Sequence, residues 1–141
     1  MSILWRDFQK KFEMETMSPL ALAYVGDAVY ELYVRLMLTS AGGQRMKELH
    51  RRAVSYVQAG AQAALLRSLE SLLTEEEQEI VRRGRNAKSG HIPKNVEMLE
   101  YRLSTGLEAL VGYLFLQGRQ ERLREILQFI VQQVEKEFQR G

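Results

Sequence analysis

Apolar residues recur at three- and four-residue intervals along almost the whole chain, and no stretch alternates β-branched with polar residues between tight-turn signals. The pattern predicts an all-α fold. A short amphipathic segment around Trp5, Phe8 and Phe12 precedes a long helix from Ser18 to about Leu38, with Ser18 as its cap and Pro19 in its first turn. TSAGGQ, residues 39–44, reads as a loop. A helical pattern then runs from about Arg45 to Leu73, with a candidate break near Gly60, and TEEEQEIVRRG opens on Thr74 and Glu77 in capping-box spacing. NAKSGHIP, residues 86–93, is the most evident loop. Helical periodicity resumes through RLSTGLEALVGYLFLQ, pauses at Gly118, and ends in a helix whose Leu123, Ile126, Leu127, Ile130, Val131, Val134 and Phe138 form one apolar stripe.

Laid out at about 100° per residue, the first long helix places Leu22, Val25, Val29, Leu32 and Leu36 on one side, the expected core face. Its other side is not polar either: Leu20, Ala23, Tyr24, Val34 and Leu38 share it with Asp27, Glu31 and Arg35. A helix apolar on two sides is central to its domain or packed against a second subunit, so Leu20, Tyr24 and Leu38 are the expected dimer surface. Asp27 sits here among the small residues Ala23 and Gly26. It is either a local hydrogen-bonding residue, paired with Arg35 or another cation, or part of a site. In RLSTGLEALVGYLFL a second acid, Glu108, shares its side with Thr105, Ala109 and Gly112, while Leu103, Leu107, Leu110, Val111 and Leu114 take the core. A glycine inside a helix costs roughly 1 kcal/mol against alanine, so Gly26 and Gly112 are best explained by close backbone approach. Two helices meeting there would hold Asp27 and Glu108 near each other, and two anions in a partly dry site call for a cation or a proton between them.

With 141 residues and no linker, repeat or low-complexity tract, the chain is one domain's worth. No apolar run is long enough to cross a membrane, and MSILWRDFQKKF lacks the order of a signal peptide, so a cytoplasmic protein is expected. The absence of cysteine removes thiol nucleophiles, disulfides and thiolate metal sites; the two histidines, His50 and His91, stand in no ligand-like spacing. Any metal would therefore be held by oxygen, which favours Mg2+, with Mn2+ as a substitute. The net charge is only +2, but RRGRNAKSGHIPK, residues 82–94, carries Arg82, Arg83, Arg85, Lys88 and Lys94 with no acid. Such a segment is either a solvated basic surface or a grip on nucleic-acid phosphates, with Asn86 and Ser89 as further partners. Arg45, Lys47, His50, Arg51 and Arg52 form a smaller, more ambiguous basic group.

LALAYVGDAVYELYVR resembles the signature segment of the ribonuclease III catalytic-domain family, LEALVGYLFL resembles its second acidic motif, and IVRRGRNAKSG resembles the basic segment that lies between them. The resemblance covers nearly the whole chain. Because the sequence stops at Gly141, directly after the last helix, it is similar to the short branch of the family that lacks a double-stranded-RNA-binding domain, a match that RRGRNAKS strengthens. The resemblance implies that Asp27 and Glu108 are catalytic metal ligands and that Tyr24 lies at a dimer contact. It further implies hydrolysis of double-stranded RNA to a 5′ phosphate and a 3′ hydroxyl, in the maturation of large-subunit ribosomal RNA precursor by a homodimer. Two family acids are replaced, by Ala23 one turn before Asp27 and by Thr105 three residues before Glu108, which implies a metal with fewer direct ligands and more water. Glu31 is either a compensating acid or the partner of Arg35 at i,i+4. The alternative to an Mg2+-dependent endoribonuclease is a noncatalytic helical RNA-binding or ribosome-associated protein.

Overall fold

The first long helix, α1 (Pro19–Ser40), starts where the Ser18 hydroxyl accepts a hydrogen bond from the Ala21 N–H at 3.1 Å and proline fills the first turn. A computed structural model describes residues 16–88 and 97–140, the last three as backbone only. Among the described residues five further α-helices follow: α2 (Met46–Val57), α3 (Ala59–Leu69), α4 (Glu75–Asn86), α5 (Met98–Leu116) and α6 (Gln120–Arg140). A single 3-10 turn, Glu70–Leu72, joins α3 to α4. No strand occurs among the described residues, and no helix there is long and apolar enough to cross a membrane. The segment around Trp5, Phe8 and Phe12 lies outside the described residues, as does most of the loop after Asn86.

α5 is the axis of the fold. It packs against α1, α3, α4 and α6, and its buried residues run all the way round: Leu103, Leu107, Leu110 and Leu114, but also Ser104, Thr105, Ala109 and Tyr113. That differs from the one-sided core stripe expected for this segment. Small residues make it possible. A Cβ on Gly26 would stand 2.7 Å from the Glu108 carbonyl carbon and nearer still to its oxygen, and one on Gly112 would stand 2.9 Å from the Leu22 carbonyl carbon. On another side, a Cβ on Gly84 would lie 2.9 Å from the Ala109 Cβ and 3.0 Å from the Gly106 Cα. α1 and α4 therefore both cross α5 backbone against backbone, through the glycines.

The Gly26–Gly112 crossing also corrects the core face of α1. Its buried residues are Leu22, Ala23, Gly26, Tyr30, Val34 and Leu38, whereas Leu32 and Leu36 are exposed. Hydrophobicity ranks leucine above alanine and glycine, but the small residues are what admits the neighbouring helix, and the face follows them. Leu38, expected at a subunit contact, is a core residue. The break expected near Gly60 falls at Gln58, two residues earlier, which is extended (φ −71°, ψ 153°) between α2 and α3. Gly60 is helical and lies where a Cβ would come 2.5 Å from Glu100 Oε2. The capping box of α4 is formed as expected: the Glu77 N–H donates to Thr74 Oγ1 at 3.1 Å and the Thr74 N–H to Glu77 Oε1 at 2.9 Å. Glu77 is also buried, and Arg122 on α6 reaches both its carboxyl oxygens at 2.7 and 2.8 Å.

Candidate active site

Asp27 follows Gly26 directly, and Glu108 stands one helical turn before Gly112, so the crossing of α1 and α5 brings the two carboxyls together. The Asp27 carboxyl stands close enough to Glu108 to raise its affinity for a proton. Burial pushes the Glu108 carboxyl up to about 9, the Asp27 carboxyl beside it adds to the effect, and Glu31 contributes in the same sense. Asp27 faces solvent while Glu108 is half-buried, so the pair has one wet and one sheltered member.

Gln62 opposes that shift. This α3 residue is 2% exposed, and its side chain favours the ionised form of Glu108. The approach stops short of a formed hydrogen bond, since Gln62 Nε2 is buried without a partner. Tyr30, one turn beyond Gly26, is fully buried and donates its hydroxyl to the Tyr56 carbonyl at 2.8 Å. Sequence reasoning missed Gln62. Its signal was there: residues 62, 65, 66 and 69 form the buried stripe of α3, and a glutamine on such a stripe is out of place.

Ala23 and Thr105, the positions where the resemblance implies acids, are structurally quiet. Ala23 is a core residue, and Thr105 is buried with its hydroxyl donated to the Tyr101 carbonyl at 3.0 Å. Glu31 bonds Arg35 at 2.8 Å. Among the described residues no group of three or more acids or histidines is placed to hold a metal. Two carboxylates, oxygen donors only, still fit a hard divalent cation of the magnesium kind, which keeps most of its water and is commonly held through one or two carboxylates.

The basic segment is divided. Arg82 is committed to Glu79 one turn earlier, its Nε donating at 2.9 Å. Arg83 and Arg85, half-buried, lie in the last turn of α4, where cations also complement the helix dipole, while Glu75, Glu76 and Glu77 occupy its first turn. Asn86 and Lys88 are exposed; Lys94 lies outside the described residues. Through the Gly84–Gly106 crossing this end of α4 is seated on α5 within one helical turn of Glu108. In the smaller basic group Arg52 is structural, holding Glu135 at 2.6 Å, and Arg51 leans towards Glu48 at 3.7 Å. Of the expected dimer surface, Tyr24 is 84% exposed and Leu20 is half-buried. Tyr24 heads a stripe that continues through Ala28, Leu32 and Leu36, all exposed.

Comparisons with known proteins agree with the motifs. The ribonuclease III domain model matches residues 20–119, a span that contains both acids and the basic end of α4. The chain is 54% identical over 121 residues to Mini-ribonuclease 3 of Symbiobacterium thermophilum, covering 86% of this chain and 93% of that one. It is 39% identical over 127 residues to Mini-ribonuclease 3 of Staphylococcus aureus, covering 89% and 95%. A crystal structure of a protein from Fusobacterium nucleatum superposes with a TM-score of 0.75 at 28% identity, covering 83% of this chain and 93% of the other.

Proposed function

The chain belongs to the ribonuclease III family and is an endoribonuclease, and we propose that it hydrolyses double-stranded RNA at a two-carboxylate site that binds a divalent cation. The observation that carries this reading is the pairing of Asp27 with Glu108, made by helices that meet through glycine. Asp27 and Glu108 are the residues that hold Mg2+, or Mn2+ in its place. Such an ion, when bound, lowers the pKa of attached water and neutralises charge on the phosphoryl oxygens. Arg83, Arg85 and Lys88 hold substrate phosphates alongside, with Asn86 as a neutral partner for phosphate or 2′-hydroxyl, and Lys94 is a further cation of the same stretch of sequence. Arg82 is the weakest member, since its guanidinium is already engaged by Glu79.

The exposed stripe of Tyr24, Leu32 and Leu36 is the surface of a homodimer, with Leu20 at its edge. Two protomers then present two sites, one for each strand of a duplex. The biological substrate is large-subunit ribosomal RNA precursor, processed in the cytoplasm. A second reading, an RNA-binding protein without activity, is favoured by Ala23 and Thr105, which leave the site two family acids short. Incubating the protein with a plain RNA duplex and Mg2+ separates the two. Cleavage by the parent, lost in Asp27→Asn and in Glu108→Gln with RNA binding and folding retained, supports the enzyme; a parent that binds duplex and leaves it whole supports the second reading.

A further inference from the structure

Gln62 is a buried polar side chain that the reaction as described does not use. An amide N–H2 buried without a formed partner is a cost to folding, and a shape-matched apolar side chain in its place avoids that cost. On stability alone, then, position 62 of α3 should be apolar like Leu65, Leu66 and Leu69, which share its stripe. What Gln62 faces explains the exception. Glu108 lies on α5, the helix that α3 packs against, and Gln62 stands close enough to it to favour its ionised form, while the Tyr30 hydroxyl is already given to the Tyr56 carbonyl.

We propose that Gln62 is a positioning residue of this site, its amide N–H fixing one oxygen of the Glu108 carboxylate so that the other is presented to the cation held with Asp27. This inference rests on the two-carboxylate reading above. A neutral donor suits the task. Lysine or arginine would also orient Glu108, but its charge would compete with the cation for the same carboxylate, whereas an amide orients the oxygen and leaves the negative charge in place. Its backing is rigid, because Gln62 rides on a helix whose other buried residues are packed on α5. Partners that orient a ligand from behind typically change metal affinity 10–100-fold when lost.

The test uses Gln62→Met, which keeps length and volume and removes the donor, with Gln62→Leu as a second variant in case the thioether packs poorly. Mg2+ and Mn2+ binding is measured by calorimetry without RNA, alongside kcat and KM on an RNA duplex and the melting temperature. The parent should bind Mg2+ and Asp27→Asn should not. In Gln62→Met the melting temperature should hold or rise while cation affinity falls about tenfold or more. At fixed Mg2+ kcat should fall with it and KM for RNA should stay put. A parent that binds neither cation overturns the two-carboxylate reading and this inference with it. If parent and Asp27→Asn behave as stated but both Gln62 variants bind cation like the parent, or lose stability with no change in affinity, Gln62 is packing alone and only this inference fails.

Discussion

Replacing Gly112 by alanine tests the feature on which the site depends. In an exposed helix interior Gly→Ala stabilises by up to about 1 kcal/mol, so propensity alone raises the melting temperature. The structure reverses the sign. A Cβ on Gly112 would stand 2.9 Å from the Leu22 carbonyl carbon, 3.0 Å from the Gly26 nitrogen and closer again to the Leu22 oxygen, where ordinary contact begins at 3.4 Å. These are backbone atoms within helices and no rotamer change relieves them. Moving even the carbon to ordinary contact parts α1 from α5 by about half an ångström, and the oxygen demands more; overpacking of this kind typically costs about 1–3 kcal/mol. At roughly 2–8 °C per kcal/mol for domains bracketing this size, the melting temperature should fall by about 2 to 24 °C. Gly60→Ala is the matched control, because the atom nearest its Cβ is the carboxylate end of Glu100, a flexible side chain that can swing away. It should be neutral or slightly stabilising. Thermal melts of both variants, with cleavage measured below the transition, give the answer: Gly112→Ala should lose activity as well as stability, since parting the helices parts Asp27 from Glu108. A Gly112→Ala protein that melts at or above the parent and cuts RNA normally would refute the close crossing and the site built on it.

Glu77→Gln should destabilise by roughly 2–4 kcal/mol, because it breaks a buried pair and leaves Arg122 short of its partner. The bonds from Arg122, helped by the Thr74 cap, hold the Glu77 carboxyl below its usual range, so its contribution is present above the unfolded carboxylate value of about 4.3 and is lost as pH falls through the depressed one; acid melts of parent and variant should therefore converge at low pH, and parallel curves would count against it. Tyr24→Asp should yield monomers in sedimentation, and a parent that is itself monomeric would remove the proposed subunit face. Replacing Arg83, Arg85 and Lys88 with alanine should weaken binding to any duplex and flatten its salt dependence, while saturating RNA restores much of the rate; an unchanged salt slope would reduce the end of α4 to a solvated surface.

Much of this was legible in the sequence because the informative residues break a local rule. Gly26 and Gly112 are poor helix formers inside helices, and the crossing that explains them is present. Ser18 with Pro19, and Thr74 with Glu77, announce helix starts through chemistry confined to one turn, and both caps are formed. The family resemblance, carried by LALAYVGDAVYELYVR and LEALVGYLFL, agrees with the matched relatives. What failed was the assignment of faces. Periodicity put Leu32 and Leu36 inside α1 and Leu38 at a subunit surface, because a hydrophobic count cannot tell that Ala23 and Gly26 bury more usefully than leucine when a backbone must come close. The break expected near Gly60 is present two residues earlier, at Gln58.

Residues joined across long sequence separations were the hardest to see, and Gln62 and Glu77 show why. Each falls on the buried stripe of its helix, 62–65–66–69 in α3 and 77–80–81–84 in α4, yet their partners lie 46 and 45 positions away. Periodicity marks such a residue as misplaced without saying what it faces. The two then diverge physically. Glu77 meets a guanidinium, fills its bonds and stabilises the fold. Gln62 meets an acid whose proton affinity burial raises, and its own amide goes without a formed bond, so burying Glu108 and Gln62 is a cost to folding. Apolar replacements in such a cluster are often neutral or stabilising. Thr105 and Ala23, by contrast, sit in the core without any unmet demand. A site that had merely decayed would be expected to look like Thr105 throughout; the strain concentrated on the remaining acids and their donor argues for a centre still built to carry charge.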